Sequence, residues 1–155
     1  MIDLKELLNP DSFLFIQDPT SKKMVFDKIC SEAFEKYNID KKLLLNNMIK
    51  REKIGTTTIG NGIAIPHVQN DQIIKPCCIV TILSDGLDFD ALDNNPVDLN
   101  VFLILPEVNK HENLQILAQI SRLLRDTEIT DKLKGCKSEE SAFAIISQHL
   151  NNKAA

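Results

Sequence analysis

The chain has 155 residues, 43% of them hydrophobic and 26% charged, enough for one ordinary globular domain with a continuous core. Its 18 basic and 22 acidic side chains leave a formal charge of −4, which argues against a dedicated nucleic-acid binder with a clustered basic surface. No apolar run is long enough for a membrane-spanning helix, and Met1-Ile2-Asp3-Leu4-Lys5-Glu6 lacks the basic-then-apolar order of a signal peptide, so a cytoplasmic protein is expected.

In chain order, Asp18-Pro19-Thr20-Ser21 offers capping side chains. After it, Val25/Phe26, Ile29/Cys30, Ala33/Phe34 and Tyr37 form an apolar stripe at helical spacing. A second helix is predicted from about Asp40 through Leu44, Met48 and Ile49 towards Arg51. Residues 55–66 are rich in Thr, Gly and Ile and have no helical period, which suggests short strands and turns. Residues 77–83 and 97–105 read as strands, being apolar and β-branched. The later half of the second is almost continuously apolar, as a central strand covered on both faces requires.

Four cysteines fall along this path, Cys30, Cys77, Cys78 and Cys136, without CxxC spacing. Cys77 and Cys78 open an apolar run, so packing is expected of them rather than metal binding or redox chemistry. Asp93-Asn94-Asn95-Pro96 marks a turn between the two strands. Beyond Pro106 the pattern is helical again, with Leu114, Leu117, Ser121 and Leu124 predicted on one face. A C-terminal helix after Ser138 carries Ala142, Phe143, Ile145, Ile146 and Leu150, and residues 151–155 read as a tail. There is no internal repeat or low-complexity segment. Helices before and after the strands predict one three-layer α/β/α domain over residues 1–150.

The chemically unusual stretch is Gly55-Thr56-Thr57-Thr58-Ile59-Gly60-Asn61-Gly62-Ile63-Ala64-Ile65-Pro66-His67. Glycine permits close backbone approaches, while Thr hydroxyls and exposed N–H groups suit anionic oxygens. Pro66 restricts the backbone entering His67, and a neutral imidazole is a competent nucleophile towards phosphorus. These residues describe an anion-handling loop with a candidate nucleophile. The plainer reading is a structural glycine turn followed by a packed or surface histidine. The Walker spacing is absent, so nucleotide binding by that device is unsupported.

The run from Arg51-Glu52-Lys53-Ile54 through Gly60-Asn61-Gly62-Ile63-Ala64-Ile65-Pro66-His67 resembles the phosphorylation-site signature of EIIA domains of the bacterial phosphoenolpyruvate-dependent phosphotransferase system. The branch is the fructose/mannitol type, which includes the nitrogen-regulatory IIA proteins. Thr20-Ser21-Lys22-Lys23, Phe89-Asp90-Ala91-Leu92-Asp93 with Pro96-Val97, and Leu114-Gln115-Ile116-Leu117 extend the likeness along nearly the whole chain.

The resemblance implies a mixed, roughly five-stranded sheet between helices. It also implies a phosphohistidine at His67, loaded from HPr or its nitrogen-branch paralogue. Arg51 is then expected to neutralise charge on the transferring phosphoryl group, with a hydroxyl bond from Thr57 or Thr56. The family's second histidine directly precedes the Leu-x-x-Leu segment, and Asn113 stands there, with His111 two residues earlier. Either Asn113 serves as a neutral donor or His111 swings in. Thr58 stands where a glycine is common in the family. His149 reads as structural or solvated.

No metal or organic cofactor is called for, because phosphohistidine is itself a reactive phosphoryl donor. Three functions stay open. One is a regulatory IIA protein whose phosphorylation changes its binding to a kinase or transporter. The second is a sugar-uptake component that passes phosphate to a IIB domain. The third is an interaction module that has lost phosphotransfer.

Overall fold

The computed structural model describes residues 2–154. A short helix α1 (Leu4–Leu7) and a 3₁₀ turn (Pro10–Ser12) lead into β1 (Phe13–Ile16). Helices α2 (Lys22–Tyr37) and α3 (Lys41–Ile54) follow. Their starts are those the sequence signals: the Ser21 side chain accepts from the Met24 N–H, and Asp40 accepts from that of Leu43. Then come β2 (Thr58–Gly60), β3 (Ile63–Ala64), β4 (His67–Asn70), β5 (Cys77–Leu87) and β6 (Val97–Pro106). Helices α4 (Lys110–Leu124), α5 (Thr127–Lys134) and α6 (Glu139–Ala154) complete the chain. None of the described helices is long and apolar enough to cross a membrane.

The mixed sheet runs β1-β5-β6-β3-β2, with β4 also paired to β6. β3 and β4 lie parallel to β6 in one continuous register, Ile63 opposite Leu99 and His67 opposite Leu103. They are one strand interrupted at Pro66, which has no N–H for the ladder and contributes only its carbonyl, accepting from Leu103 N at 2.9 Å. Counted so, the sheet has the five strands the resemblance implies.

Central strand β6 is apolar on both faces. Leu99, Val101, Leu103 and Leu105 pack towards α4, α5 and α6, while Phe102 and Ile104 pack towards α2 and α3. This is the three-layer arrangement expected from the sequence. Phe102 is fully buried. Truncating it in Phe102→Ala is expected to destabilise the fold by about 3–5 kcal/mol, read as a lower denaturant midpoint at unchanged m-value.

The cysteines pack as anticipated. Cys30 and Cys78 lie in the core, and burial raises the Cys30 thiol to about 12 and the half-buried Cys77 thiol to about 11, so neither is a thiolate near neutral pH. Two local expectations change. The stripe α4 buries is Asn113, Ile116, Ile120, Leu123 and Leu124, not the face through Leu114 and Ser121. Leu114 is 67% exposed because it projects beside β4 rather than onto the sheet. Residues 151–153, read as tail, form exposed turns of α6, since neither Gly nor Pro interrupts the helix there; Ala155 lies outside the described residues.

Candidate functional site

His67 opens β4, which pairs only with β6 and so forms the sheet's edge at that end. α3 covers one face of this edge and α4 the other. Between them lies a cavity of about 600 Å³ lined by Asn47, Lys50, Arg51 and Ile54 from α3, His67, Val68 and Gln69 from β4, and Leu105 from β6. Lys110, Asn113, Leu114 and Leu117 from α4 close it. Three of these side chains are cations and none is a carboxylate, in a chain whose net charge is −4. The local field therefore favours an anion.

The half-buried ring of His67 is oriented by its own backbone neighbourhood. Its Nδ1 lies 2.8 Å from the carbonyl oxygen of Ile65. A carbonyl only accepts, so Nδ1 carries the proton and Nε2 keeps its lone pair in the neutral ring. Pro66, between the two residues, fixes the chain direction that makes this bond possible.

Arg51 sits in the last turn of α3, where its Nη1 donates to the Gly55 carbonyl at 3.0 Å. One guanidinium donor is thus used to hold the group in place, and four remain. Asn113 is 5% exposed, and its Nδ2 donates to the Pro106 carbonyl at 2.9 Å, tying the first turn of α4 to the end of β6. One amide hydrogen is left uncommitted. Asn109, which precedes helix α4, has a left-handed backbone and makes no side-chain cap bond, so the uncapped N–H groups of the first turn add positive potential beside Lys110.

Of the residues proposed from sequence, the structure brings His67, Arg51 and Asn113 to one cavity. It does not bring Thr57, Thr56 or His111 there. The Thr57 hydroxyl donates to Glu52 Oε1 at 2.6 Å and the Thr56 hydroxyl to the Phe89 carbonyl at 3.1 Å. His111 is exposed on α4, with Nε2 3.3 Å from Gln115 Nε2. His149 lies half-buried on α6, away from the cavity.

The glycines are not a phosphate cradle either. Gly60, Asn61 and Gly62 all have positive φ and form the turn from β2 to β3. A Cβ on Gly62 would lie 2.9 Å from the Pro96 carbonyl oxygen. The turn is held by Asp93, whose carboxylate accepts from the N–H groups of Asn95 and Asn61, bonds that lower its pKa from the ordinary value. Lys50, Lys110, Asn47 and Gln69 were not singled out by the sequence; single polar residues on helices and edge strands carry no local signal. Among the described residues no His, Cys, Asp and Glu cluster suits a metal ion.

An edge strand of this α/β domain thus presents an oriented histidine to a cationic cavity. Residues 6–149 match the family described as "Phosphoenolpyruvate-dependent sugar phosphotransferase system, EIIA 2", and the chain belongs to that family. It is 37% identical to a nitrogen regulatory protein of Pseudomonas aeruginosa over 94% of this chain and 96% of that one. It is also 28% identical to a fructose-specific EIIA component of Haloferax volcanii, over 85% of this chain and 86% of the other. Among solved structures, the nitrogen regulatory protein IIA-Ntr of Neisseria meningitidis superposes with a TM-score of 0.82 at 26% identity, covering 92% of this chain and 97% of that one.

Proposed function

We propose that the protein is a cytoplasmic phosphocarrier that accepts a phosphoryl group on Nε2 of His67, from HPr or its nitrogen-branch paralogue, and acts as a regulatory IIA protein. The observation that carries this is the bond from His67 Nδ1 to the Ile65 carbonyl, which leaves Nε2 as the nucleophilic nitrogen in a cavity with three cations.

In the transfer, Nε2 attacks phosphorus as the donor's N–P bond breaks, and the donor nitrogen leaves with the electron pair. Positive charge builds on the His67 ring as its new bond forms, and the Ile65 carbonyl stabilises it through Nδ1–H. Arg51 and Lys110 neutralise the phosphoryl oxygens, so positioning and electrostatics supply most of the acceleration. Ile54, 82% exposed, and Leu114 offer apolar contact to a docking protein beside the charged centre.

A dianion placed among Lys50, Arg51 and Lys110 cancels most of the local positive charge, a change that can switch affinity for a regulated kinase or transporter. The likeness to nitrogen regulatory proteins supports the regulatory reading. The likeness to a fructose-specific component supports the second, in which phosphate passes to a IIB domain for sugar uptake. Incubation with phosphoenolpyruvate, the general kinase and HPr is expected to load one acid-labile phosphoryl group per chain. Retrieval of a partner by only one of the two phosphorylation states supports regulation. Rapid discharge to a IIB domain supports transport, and failure to load from any cognate carrier supports a pure interaction module.

Asn113 takes the neutral-donor role in this reading. Asn113→Ala is expected to slow loading about tenfold and, by leaving the Pro106 carbonyl without its donor, to lower stability by about 1 kcal/mol. His111→Ala is expected to load like the unaltered chain. Stopped-flow rates that fall only for His111→Ala would transfer the role to His111.

A further inference from the structure

Arg51 and Glu52 are neighbours on α3 that serve different places. Arg51 lines the cavity, whereas the Glu52 carboxylate is turned inward and its side chain is 8% exposed. A buried carboxylate is costly unless both oxygens find partners. Here Oε1 accepts from the Thr57 hydroxyl at 2.6 Å, and Oε2 pairs with Lys22 Nζ at 2.6 Å. Lys22 is in turn held in the first turn of α2 against the rings of Phe89 and Phe26, 5.1 and 5.8 Å from their centroids.

The bonds continue from this group to the reactive ring. The Thr57 carbonyl accepts from Ile65 N–H at 3.0 Å, and the Ile65 carbonyl receives the proton of His67 Nδ1 at 2.8 Å. Ile65, itself buried, is thus fixed through both of its backbone polar groups. Residues 55–57 form no regular secondary structure; Arg51 ties the segment to α3 at Gly55, and the Thr57 hydroxyl ties it at the residue whose carbonyl holds Ile65. If it is released, the Ile65 carbonyl can move from Nδ1, and the proton is free to pass to Nε2, where it blocks the nucleophilic lone pair.

We propose that Glu52 and Thr57 are a positioning pair for His67, acting through the backbone of Ile65 to select which ring nitrogen reacts. The proposal rests on His67 being the phosphoryl acceptor. Neither residue lines the cavity, so the pair acts on the ring and leaves donor docking unaltered.

The test uses Thr57→Val, which keeps the side chain's shape without the hydroxyl, and Thr57→Ser, which restores it. The proton position on the His67 ring is read by nitrogen-15 NMR of the unphosphorylated protein, at alkaline pH where the ring is neutral. In Thr57→Val the proton is expected to shift from Nδ1 towards Nε2, with kcat for transfer from phosphorylated HPr about tenfold lower and KM unchanged. Thr57→Ser is expected to restore both. A third variant, Glu52→Gln, loses the ion pair but keeps an oxygen for Thr57, and is expected to melt earlier while retaining the Nδ1 proton.

The proposal is overturned if folded Thr57→Val keeps the Nδ1 proton, if Thr57→Ser fails to restore it, or if folded Glu52→Gln loses it. Should Thr57→Val fail to fold, Glu52→Ala, which removes the acceptor of the Thr57 hydroxyl, decides by the same readout: the proton is expected to shift towards Nε2, and its retention on Nδ1 overturns the proposal. Because the proton is located without phosphorylation, this result is independent of the acceptor reading, which fails instead if His67→Ala labels normally.

Discussion

His67→Ala is expected to take up no phosphoryl group when phosphoenolpyruvate, the general kinase and HPr load the unaltered chain to one group per molecule. The loss is roughly a thousandfold or more in rate, limited by background, because the substitution removes the nucleophile rather than an assisting group. The other histidines offer no substitute. His111 is exposed on α4 and His149 lies on α6, and neither lines the cationic cavity. The fold should survive, since the ring is half-buried and its hydrogen bond to Ile65 is worth about 1 kcal/mol. A melting curve close to that of the unaltered chain, with no acid-labile label, is the expected pair of results. Normal labelling would remove His67 from the chemistry.

Arg51→Ala carries the second largest expected effect, a fall of about a hundredfold in the rate of transfer from phosphorylated HPr. The guanidinium is fixed at the cavity by its bond to the Gly55 carbonyl, so its charge is in place before the phosphoryl group arrives. Losing that bond also loosens the end of α3, but on an exposed turn the effect on stability is small. Arg51→Lys should recover part of the rate, since it restores charge without the planar fork that bonds two oxygens at once. Transfer within twofold of the unaltered chain in Arg51→Ala would place the neutralising role on Lys50 and Lys110.

Much of the architecture was legible because its causes are local. The caps at Ser21 and Asp40 mark helix starts, and the apolar run in β6 forecasts a strand covered on both faces. β1 was not foreseen, because Phe13–Ile16 is only four apolar residues without alternation, and its identity depends on pairing with β5 across the fold. Helix α5 was missed as well; it has eight residues and buries only Ile129, Thr130 and Leu133.

The site divides in the same way. His67 stands out by its motif, and Arg51 and Asn113 through the family resemblance. Residue type alone suggests an anion cradle in the glycines and threonines before His67. Their hydroxyls bond protein groups, and their positive φ values build a turn. The cations Lys50 and Lys110 reach the site only because α3 and α4 flank the same edge strand. That fact belongs to the topology and not to any short stretch of sequence.

The most direct test of the account is to locate the phosphate on the loaded protein by phosphorus-31 and nitrogen-15 NMR. A single N–P bond at Nε2 of His67, with Nδ1 still protonated against Ile65, is the predicted result. Phosphate on Nδ1 of His67, or on any other residue, would contradict it.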